Sequence, residues 1–164
     1  MYKRIVRSKV CATFERINEG DYLTMVDGLA PQFEYRFHGD HALGGRRRTR
    51  GAMIRWWERA TRLLPGVRFD VQEVLVSGGP WRTRVAVRSR VSGALPDGGR
   101  YENTVFQFLT LVWGRVTEVE TLEDLQVLER ALGAVAAAGI AEATAAPIAD
   151  EPSDDPYGKG AAPV

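Results

Sequence analysis

The sequence of 164 residues contains a single cysteine, Cys11. One cysteine excludes an internal disulfide framework and any zinc site built from several cysteines, and it is typical of a protein in the reducing cytoplasm. No apolar stretch approaches the roughly 18 residues that a membrane-spanning helix requires. Residues 1–7 are basic, but Lys9 interrupts the stretch where a secretory signal would be apolar, so neither a signal nor a membrane partner is predicted.

Acidic residues are scarce in the first 100 positions, and basic residues are scarce after them. Residues 1–100 contain 19 lysines and arginines against 10 acidic residues, whereas residues 101–164 contain 3 against 11. The net charge is nevertheless +1, and 45% of the residues are hydrophobic, a globular composition that fits one domain with one core. The arginine-rich half, taken alone, could indicate a nucleic-acid surface.

Hydrophobic periodicity predicts three helices with an early strand among them, then four antiparallel strands in a meander, then a last helix. The predicted helices cover residues 4–19, 21–30, 49–64 and 125–135, and the predicted strands cover 33–37, 67–77, 81–92, 101–113 and 116–121. This order predicts an α+β fold with helices packed on one face of a curved sheet. Residues 1–142 form the predicted domain, and residues 143–164 are expected to form a flexible tail unless something holds them.

Five short motifs are distinctive. They are Phe-Glu-Tyr-Arg-Phe-His-Gly at 33–39, Arg-Gly at 50–51, Trp-Trp at 56–57, Gly-Pro-Trp at 79–81 and Trp-Gly-Arg-Val at 113–116. Together they resemble the nuclear transport factor two-like superfamily, and most of all its SnoaL-like branch, which is related to ketosteroid isomerases. The resemblance spans residues 2–132. It implies a cone-shaped α+β barrel, often dimeric, whose curved antiparallel sheet wraps around the N-terminal helices and encloses an apolar pocket.

The catalytic carboxylates of the characterised relatives do not carry over. Counted without gaps, the tyrosine and two aspartates of ketosteroid isomerases fall near Thr13, at Phe37 or His38, and at Gln107. The Arg-x-Asp and the late aspartate of limonene-epoxide-hydrolase-like members fall at residues 84–86 and at Thr121. Both carboxylate pairs are therefore missing, although the amide of Gln107 could still donate a hydrogen bond to an oxyanion.

Both histidines of the chain, His38 and His41, fall in one loop with Asp40 between them. A carboxylate beside an imidazole can orient the ring and keep its pKa near neutral, which is what a general base needs. We therefore predict that His38 or His41 is the catalytic base and that Asp40 orients it; the alternative is a polar surface loop. The spacing matches no metal motif, so neither a metal nor another cofactor is predicted.

A set of inward-facing side chains is predicted to bind the substrate. They are Tyr35, Trp56, Tyr101, Asn103, Gln107 and Thr121, and the resemblance favours this face of the strand that begins at Tyr101. Such a lining would offer neutral hydrogen-bonding groups among apolar ones. The alternative is that they are polar residues of the core or surface, and that Trp56 and Trp57 only pack their helix on the sheet.

The arginines are expected on outer surfaces. Alternation along residues 81–92 puts four of them on the outer face of the sheet, together with two glutamates: Arg82, Arg84, Arg88, Arg90, Glu118 and Glu120. The run from Arg46 to Arg50 is expected to be solvated or to attract an anion, and Asp150, Glu151, Asp154 and Asp155 could fold back over it or stay in solvent. These placements argue against nucleic acid as a partner, because no aromatic residues are interleaved with the basic run.

Two functions remain open at this point. The first is cofactor-free acid–base chemistry, such as isomerisation, cyclisation or dehydration of a hydrophobic, oxygenated small molecule, with Gln107, Asn103 or Tyr101 stabilising an oxyanion. The second is a dimeric pocket protein that binds a ligand or a partner without turnover, which the missing carboxylates favour. Both imply a small hydrophobic molecule and a second copy of the chain as partners.

Overall fold

The computed structural model describes residues 1–154, and residues 155–164, with Asp155 among them, lie outside the described part. The helices within it are Tyr2–Asn18 (α1), Leu23–Asp27 (α2), Arg50–Leu63 (α3) and Leu125–Ala137 (α4). The strands are Leu29–Phe37 (β1), Gly45–Arg47 (β2), Arg68–Gly79 (β3), Arg82–Ala94 (β4), Arg100–Val112 (β5) and Arg115–Glu123 (β6). Two short 3-10 helices follow α4, at Ala141–Thr144 and Pro152–Asp154. No helix within residues 1–154 is long and apolar enough to cross a membrane.

The strands form one curved sheet in the order β2-β1-β6-β5-β4-β3. The predicted α+β fold and the antiparallel meander from β3 to β6 are confirmed. One detail differs, because β1 pairs with β6 in parallel, with Tyr35 opposite Val119, so the sheet is mixed rather than antiparallel throughout. Periodicity gives the two faces of a strand but not the direction of its neighbour, and no hairpin joins β1 to β6. The short strand β2 pairs with the other edge of β1, in a segment for which no strand is predicted.

One face of the sheet is buried under the helices, and the other is exposed. In β4 the inward side chains are Thr83, Val85, Val87, Ser89 and Val91, all buried. The predicted outward arginines of this strand are exposed. Two of them pair across strands, Arg84 with Glu118 at 4.0 Å and Arg88 with Glu73 at 3.5 Å. Exposed pairs of this kind contribute about 0.2–1 kcal/mol each, so they adjust the charge of the face more than its stability.

Helix α1 lies along β3. The side chain of Asn18, at the end of the helix, exchanges two 2.7 Å hydrogen bonds with the backbone of Phe69 near the start of β3. At the other end of α1, Tyr2 Oη lies 2.6 Å from Thr83 Oγ1, just after the turn between β3 and β4. The N-terminus of α1 is therefore next to the β3–β4 turn.

Helix α3 begins at a side-chain cap and buries a wide stripe. Thr49 Oγ1 accepts a 3.3 Å hydrogen bond from the backbone N–H of Ala52, the usual geometry of an N-cap threonine. Its buried residues recur at helical spacing, namely Ala52, Met53, Trp56, Trp57, Ala60 and Leu63. Trp56 lies 5.1 Å from Tyr35 between ring centroids, and this contact fixes α3 against β1.

Residues 141–154, which we call the C-terminal strap, lie across the outer side of α3. Glu142 bonds to Arg59 at 3.2 Å and to Arg62 at 2.8 Å. Asp154 pairs with Arg55, and Asp150 Oδ1 accepts hydrogen bonds from the backbone N–H groups of residues 48 and 49 at 2.8 and 3.0 Å. The sequence left open whether this acidic segment folds back over the basic run or stays in solvent. The described part of the C-terminal strap folds back over it.

Candidate active site

A cavity of about 340 Å³ lies between the buried face of the sheet and the helices α1 and α3. Its wall is mainly apolar, and the polar groups on its sheet side belong to Tyr35, Tyr101, Gln107, Thr121 and Glu123. A cavity of this size and polarity is typical of a small-molecule site, in which apolar walls give affinity and a few polar groups fix the orientation of the ligand.

Glu123, the last residue of β6, presents a carboxylate to this cavity. The hydroxyl of Tyr101 donates a hydrogen bond to its Oε2, and Asn103 Nδ2 donates to the same oxygen at 3.3 Å. Asn103 Nδ2 also lies 3.0 Å from the Tyr101 oxygen, so it supports both members of the pair. Tyr101 and Asn103 are neighbours on the inward face of β5, and the antiparallel β5–β6 pairing brings that face to Glu123.

Burial raises the pKa of the Glu123 carboxyl to about 7, while the hydrogen bonds from Tyr101 and Asn103 act in the opposite direction. Burial and the nearby Glu123 charge raise the pKa of the Tyr101 hydroxyl, which therefore keeps its proton. Within the described residues, no cation forms an ion pair with Glu123, so no positive charge lowers its pKa. A carboxyl that titrates near neutral pH inside an apolar cavity has the property that general acid–base catalysis uses.

A second polar group of the wall consists of Gln107, Thr121 and Tyr35. Gln107 Nε2 donates to Thr121 Oγ1 at 3.1 Å, and the Thr121 hydroxyl donates to the Tyr35 oxygen at 3.4 Å. The Gln107 Oε1 atom is buried and has no partner among the described residues. Burial raises the pKa of Tyr35 to about 12, so its hydroxyl remains a donor. A ligand oxygen that both donates and accepts hydrogen bonds would satisfy these groups.

Arg47 lies behind the cavity wall and is completely buried, at 0% exposure. Its guanidinium is 5.3 Å from the Tyr35 ring centroid and 5.5 Å from that of Trp56, close enough for cation–π contact with both. It donates to the carbonyls of Gly44 at 2.8 Å and Ile148 at 3.1 Å, and burial lowers its pKa to about 10. The expectation of a solvated basic run is therefore wrong for this arginine.

His41 is a buried residue of the loop after β1. Its Nε2 lies 2.9 Å from the carbonyl oxygen of His38, and its Nδ1 accepts a 3.3 Å hydrogen bond from the backbone N–H of Leu43. The ring meets Phe37 edge-on at 5.0 Å, and burial lowers the pKa of His41. Both nitrogens are thus used by the backbone, and the neutral ring stabilises the turn.

His38 and Asp40 lie on the outside. His38 Nε2 is 2.6 Å from the Glu120 carboxylate, which belongs to the outward residues of β6, and Asp40 is exposed. Neither these two residues nor His41 line the cavity. The catalytic role of His38, Asp40 and His41 stays a prediction. The structure places none of the three on the cavity wall.

The predicted substrate-binding set is largely brought together. Tyr35, Trp56, Tyr101, Gln107 and Thr121 all line the cavity, whereas Asn103 lies behind it and contacts Glu123. Glu123 itself is not among the residues predicted from the sequence, because the last predicted strand ends at Thr121. Continuing the inward alternation of β6 by two residues would have found it. Residues 1–154 contain no group of three or more histidine, cysteine or acidic side chains placed to hold a metal ion.

Comparisons with known proteins place the fold. The family model of the SnoaL-like domain matches residues 10–119. Bal32a, from a soil-derived mobile gene cassette, is 19% identical with a TM-score of 0.67, and the alignment covers 77% of this chain and 95% of that one. TerC, crystallised with polyporic acid, is 17% identical with a TM-score of 0.67 over 80% of this chain and 98% of that one.

IdmH of Streptomyces antibioticus, a suggested polyketide cyclase, is 22% identical with a TM-score of 0.64 over 78% of this chain and 98% of that one. At such identities the likeness concerns the fold, because one fold hosts many activities. A search among curated proteins finds no match.

Proposed function

The chain belongs to the SnoaL-like domain family, and we propose that it transforms an apolar, oxygenated small molecule by cofactor-free proton transfer, with Glu123 as the general base and acid. The reaction class is an isomerisation, cyclisation or dehydration that starts with removal of a proton next to a carbonyl group. The observation that carries this proposal is a carboxyl of pKa about 7 on the wall of an apolar cavity.

The neighbours of Glu123 suit this role. Tyr101 and Asn103 orient its carboxylate through hydrogen bonds, so the base needs no rearrangement before it accepts a proton. The hydroxyl of Tyr35 lies on the same wall and can donate a hydrogen bond to the substrate oxygen that gains negative charge, whereas the unpartnered Gln107 Oε1 can accept one from a hydroxyl group of the substrate. Glu123 would then return the proton to carbon in an isomerisation, to the new alkoxide oxygen in a cyclisation, or to the departing hydroxide, as water, in a dehydration, which leaves the protein unchanged.

Deuterium exchange into 2-tetralone tests the proposal, because this apolar bicyclic ketone carries acidic protons next to its carbonyl. We expect the protein in D2O to accelerate the exchange, followed by proton NMR, and the rate to rise with pH through about 7 as Glu123 ionises. Replacement Glu123→Gln should lower the protein-dependent rate by about 10²–10⁴-fold, the usual effect of losing a general base.

A matched control keeps the test specific. Glu102 is an exposed glutamate of β5, so Glu102→Gln should leave the exchange unchanged. An unchanged rate in Glu123→Gln, or dependence on His38 and His41 instead, would contradict the assignment of the base. Binding of 2-tetralone without exchange, seen as quenching of tryptophan fluorescence, would favour the second candidate, a pocket protein without turnover. That candidate is supported by the absence of the carboxylates of the characterised relatives at Phe37 or His38 and at Gln107.

We further propose that two copies associate through the outer face of the sheet. Four apolar side chains are exposed there, and cross-strand pairing brings them together: Leu75 at 56%, Phe106 at 44%, Phe108 at 59% and Leu122 at 45% exposure. Such a patch with a charged border is typical of a protein interface. In analytical ultracentrifugation, Phe108→Glu should yield monomers, whereas Leu23→Glu, at an exposed residue of α2, should not. A monomeric wild type would refute the dimer.

A cytoplasmic location completes the proposal. Cys11 is the only cysteine and is a free, half-buried thiol, so the fold uses no disulfide. Small secreted domains commonly depend on disulfides, whereas cytoplasmic ones keep their thiols reduced. Cell fractionation of the tagged full-length protein should recover it in the cytoplasmic fraction or on the cytoplasmic side of the membrane. Recovery in an exported fraction would contradict this location.

A further inference from the structure

Two tryptophans in turns at one end of the sheet are exposed to solvent. Trp81 is 68% exposed in the β3–β4 turn, and Trp113 is 73% exposed in the β5–β6 turn. The two turns are adjacent, because the backbone N–H of Trp113 donates a 2.7 Å hydrogen bond to the carbonyl of Pro80. The start of α1 joins them through the contact between Tyr2 and Thr83. We call residues 1–9, 80–82 and 113–115 together the turn end.

The exposed part of the cavity wall lies at the turn end, and we take it as the cavity mouth. Most residues of its wall are buried or half-buried, and the exposed ones are Ile5, Lys9 and Gly114. Ile5 and Lys9 lie on the first turns of α1, and Gly114 lies in the β5–β6 turn beside Trp113. An apolar ligand that enters the cavity beside Gly114 would therefore pass close to Trp113.

The charges at the turn end have one sign. Its basic residues are Lys3, Arg4, Arg7, Lys9, Arg82 and Arg115, and the first acidic residue of the chain is Glu15. In the part of the chain that the structure describes, none of these six side chains lies within ion-pair distance of a carboxylate, whereas most other arginines do. The surface thus combines exposed indole rings with uncompensated positive charge.

The backbone conformation at Trp113 is strained. Trp113 and Gly114 form a two-residue hairpin turn in which both residues have positive φ, 50° and 79°. Asparagine is the common residue at the first of these positions, and a bulky side chain there is a rare and strained choice. Strain retained in an exposed loop points to a role for the side chain outside the fold itself.

We propose that the turn end docks on an anionic lipid surface, with Trp81 and Trp113 in the headgroup region and the cavity mouth facing the bilayer. Tryptophan favours that region because its ring is apolar and its N–H is polar. Basic side chains add attraction to anionic lipids, and neither kind of contact requires a membrane-spanning helix. This inference differs from the prediction made from the sequence, in which no membrane is a partner, and it does not depend on the chemistry at Glu123.

Co-sedimentation with vesicles tests the docking, using phosphatidylcholine alone and phosphatidylcholine with one quarter phosphatidylglycerol. The full-length protein should bind the mixed vesicles, with a blue shift of tryptophan fluorescence, and should be released by high salt. The triple variant Lys3→Gln, Arg4→Gln, Arg7→Gln should lose about 100-fold in partition coefficient, since each charge near an anionic surface contributes about fivefold.

Two further variants separate docking from general effects. Trp113→Asn should bind the mixed vesicles at least tenfold more weakly while its thermal stability stays the same or rises, because asparagine suits the turn. The control Arg68→Gln, Arg90→Gln, Arg130→Gln removes the same net charge away from the turn end and should bind nearly as the wild type does. No binding of wild type to the mixed vesicles, or equal loss in both triple variants, would overturn the proposal, as would a protein partner whose binding needs the same residues without any lipid.

Discussion

The hydroxyl of Tyr101 on β5 donates a hydrogen bond to the carboxylate of Glu123 on β6, on the wall of the cavity. Burial raises the pKa of both groups, but only that of Glu123, at about 7, lies where it titrates near neutral pH. The pair therefore has a fixed donor and a group that can gain or lose a proton.

The stability of the fold should depend on the ionisation of Glu123. Its carboxyl has a pKa of about 7 in the folded protein and an ordinary value of 4.5. Between these values the folded state binds more protons than the unfolded state, so stability falls as pH rises from about 4.5 to 7, by an amount on the order of 3 kcal/mol. Urea denaturation across this pH range should show that the free energy of unfolding falls in the wild type. In Glu123→Gln, which cannot ionise at this position, that part of the fall should be absent. Curves that run parallel would contradict the raised pKa.

Removal of the Tyr101 hydroxyl should raise the pKa of Glu123 further. The hydrogen bond favours the charged carboxylate, so Tyr101→Phe leaves it less stabilised. Carbon-13 NMR titration of labelled glutamate side chains would measure the change. Tyr22→Phe is the control, because the Tyr22 ring stacks on Trp57 away from Glu123. A lower or unchanged pKa in Tyr101→Phe would show that the hydroxyl does not favour the charged form.

Replacement of Arg47 should destabilise the protein severely. Its guanidinium satisfies carbonyls of the loop before β2 and of the C-terminal strap, and Arg47→Met would leave them buried without a donor. We expect a loss of about 3 kcal/mol in chemical denaturation, because unpaired buried polar groups are costly. Arg46→Met, at the exposed neighbour, should change stability by less than about 0.5 kcal/mol. Similar losses at both positions would contradict a special role of the buried arginine.

Acid should release the C-terminal strap. The hydrogen bond from Arg62 is the main cause that lowers the pKa of Glu142 to about 2, so the ionised form stabilises the strap above the ordinary value of 4.5. That stabilisation is lost as pH falls from about 4.5 towards 2.

At neutral pH, Glu142→Gln should expose the bond before Ile148 to thermolysin, with cleavage detected by mass spectrometry. Glu129→Gln, at an exposed residue of α4, should remain resistant, and equal cleavage of both variants would refute the anchoring role.

Local patterns in the sequence determined the elements and their faces. Thr49 predicts the start of α3, and the alternation along β4 predicts which side chains face outward; the structure agrees with both. The inward placement of Gln107 and Thr121 follows from the same two-residue period together with the family resemblance. The elements and the alternation of their faces depend on residues close in sequence, so the sequence contains enough information to predict them, and the family resemblance decided which face of β5 points inward.

Other features were decided only by the tertiary structure. Whether β1 runs parallel to β6, whether Arg47 is buried under the strap, and whether His41 is held by the loop backbone all depend on residues far apart in the chain or on a fold around them. The pKa of Glu123 is the clearest case, because desolvation by the whole cavity raises it and Tyr101, 22 positions earlier, opposes the rise. A sequence shows that a carboxyl is present, but its proton affinity is set by the dielectric and the hydrogen bonds that folding creates.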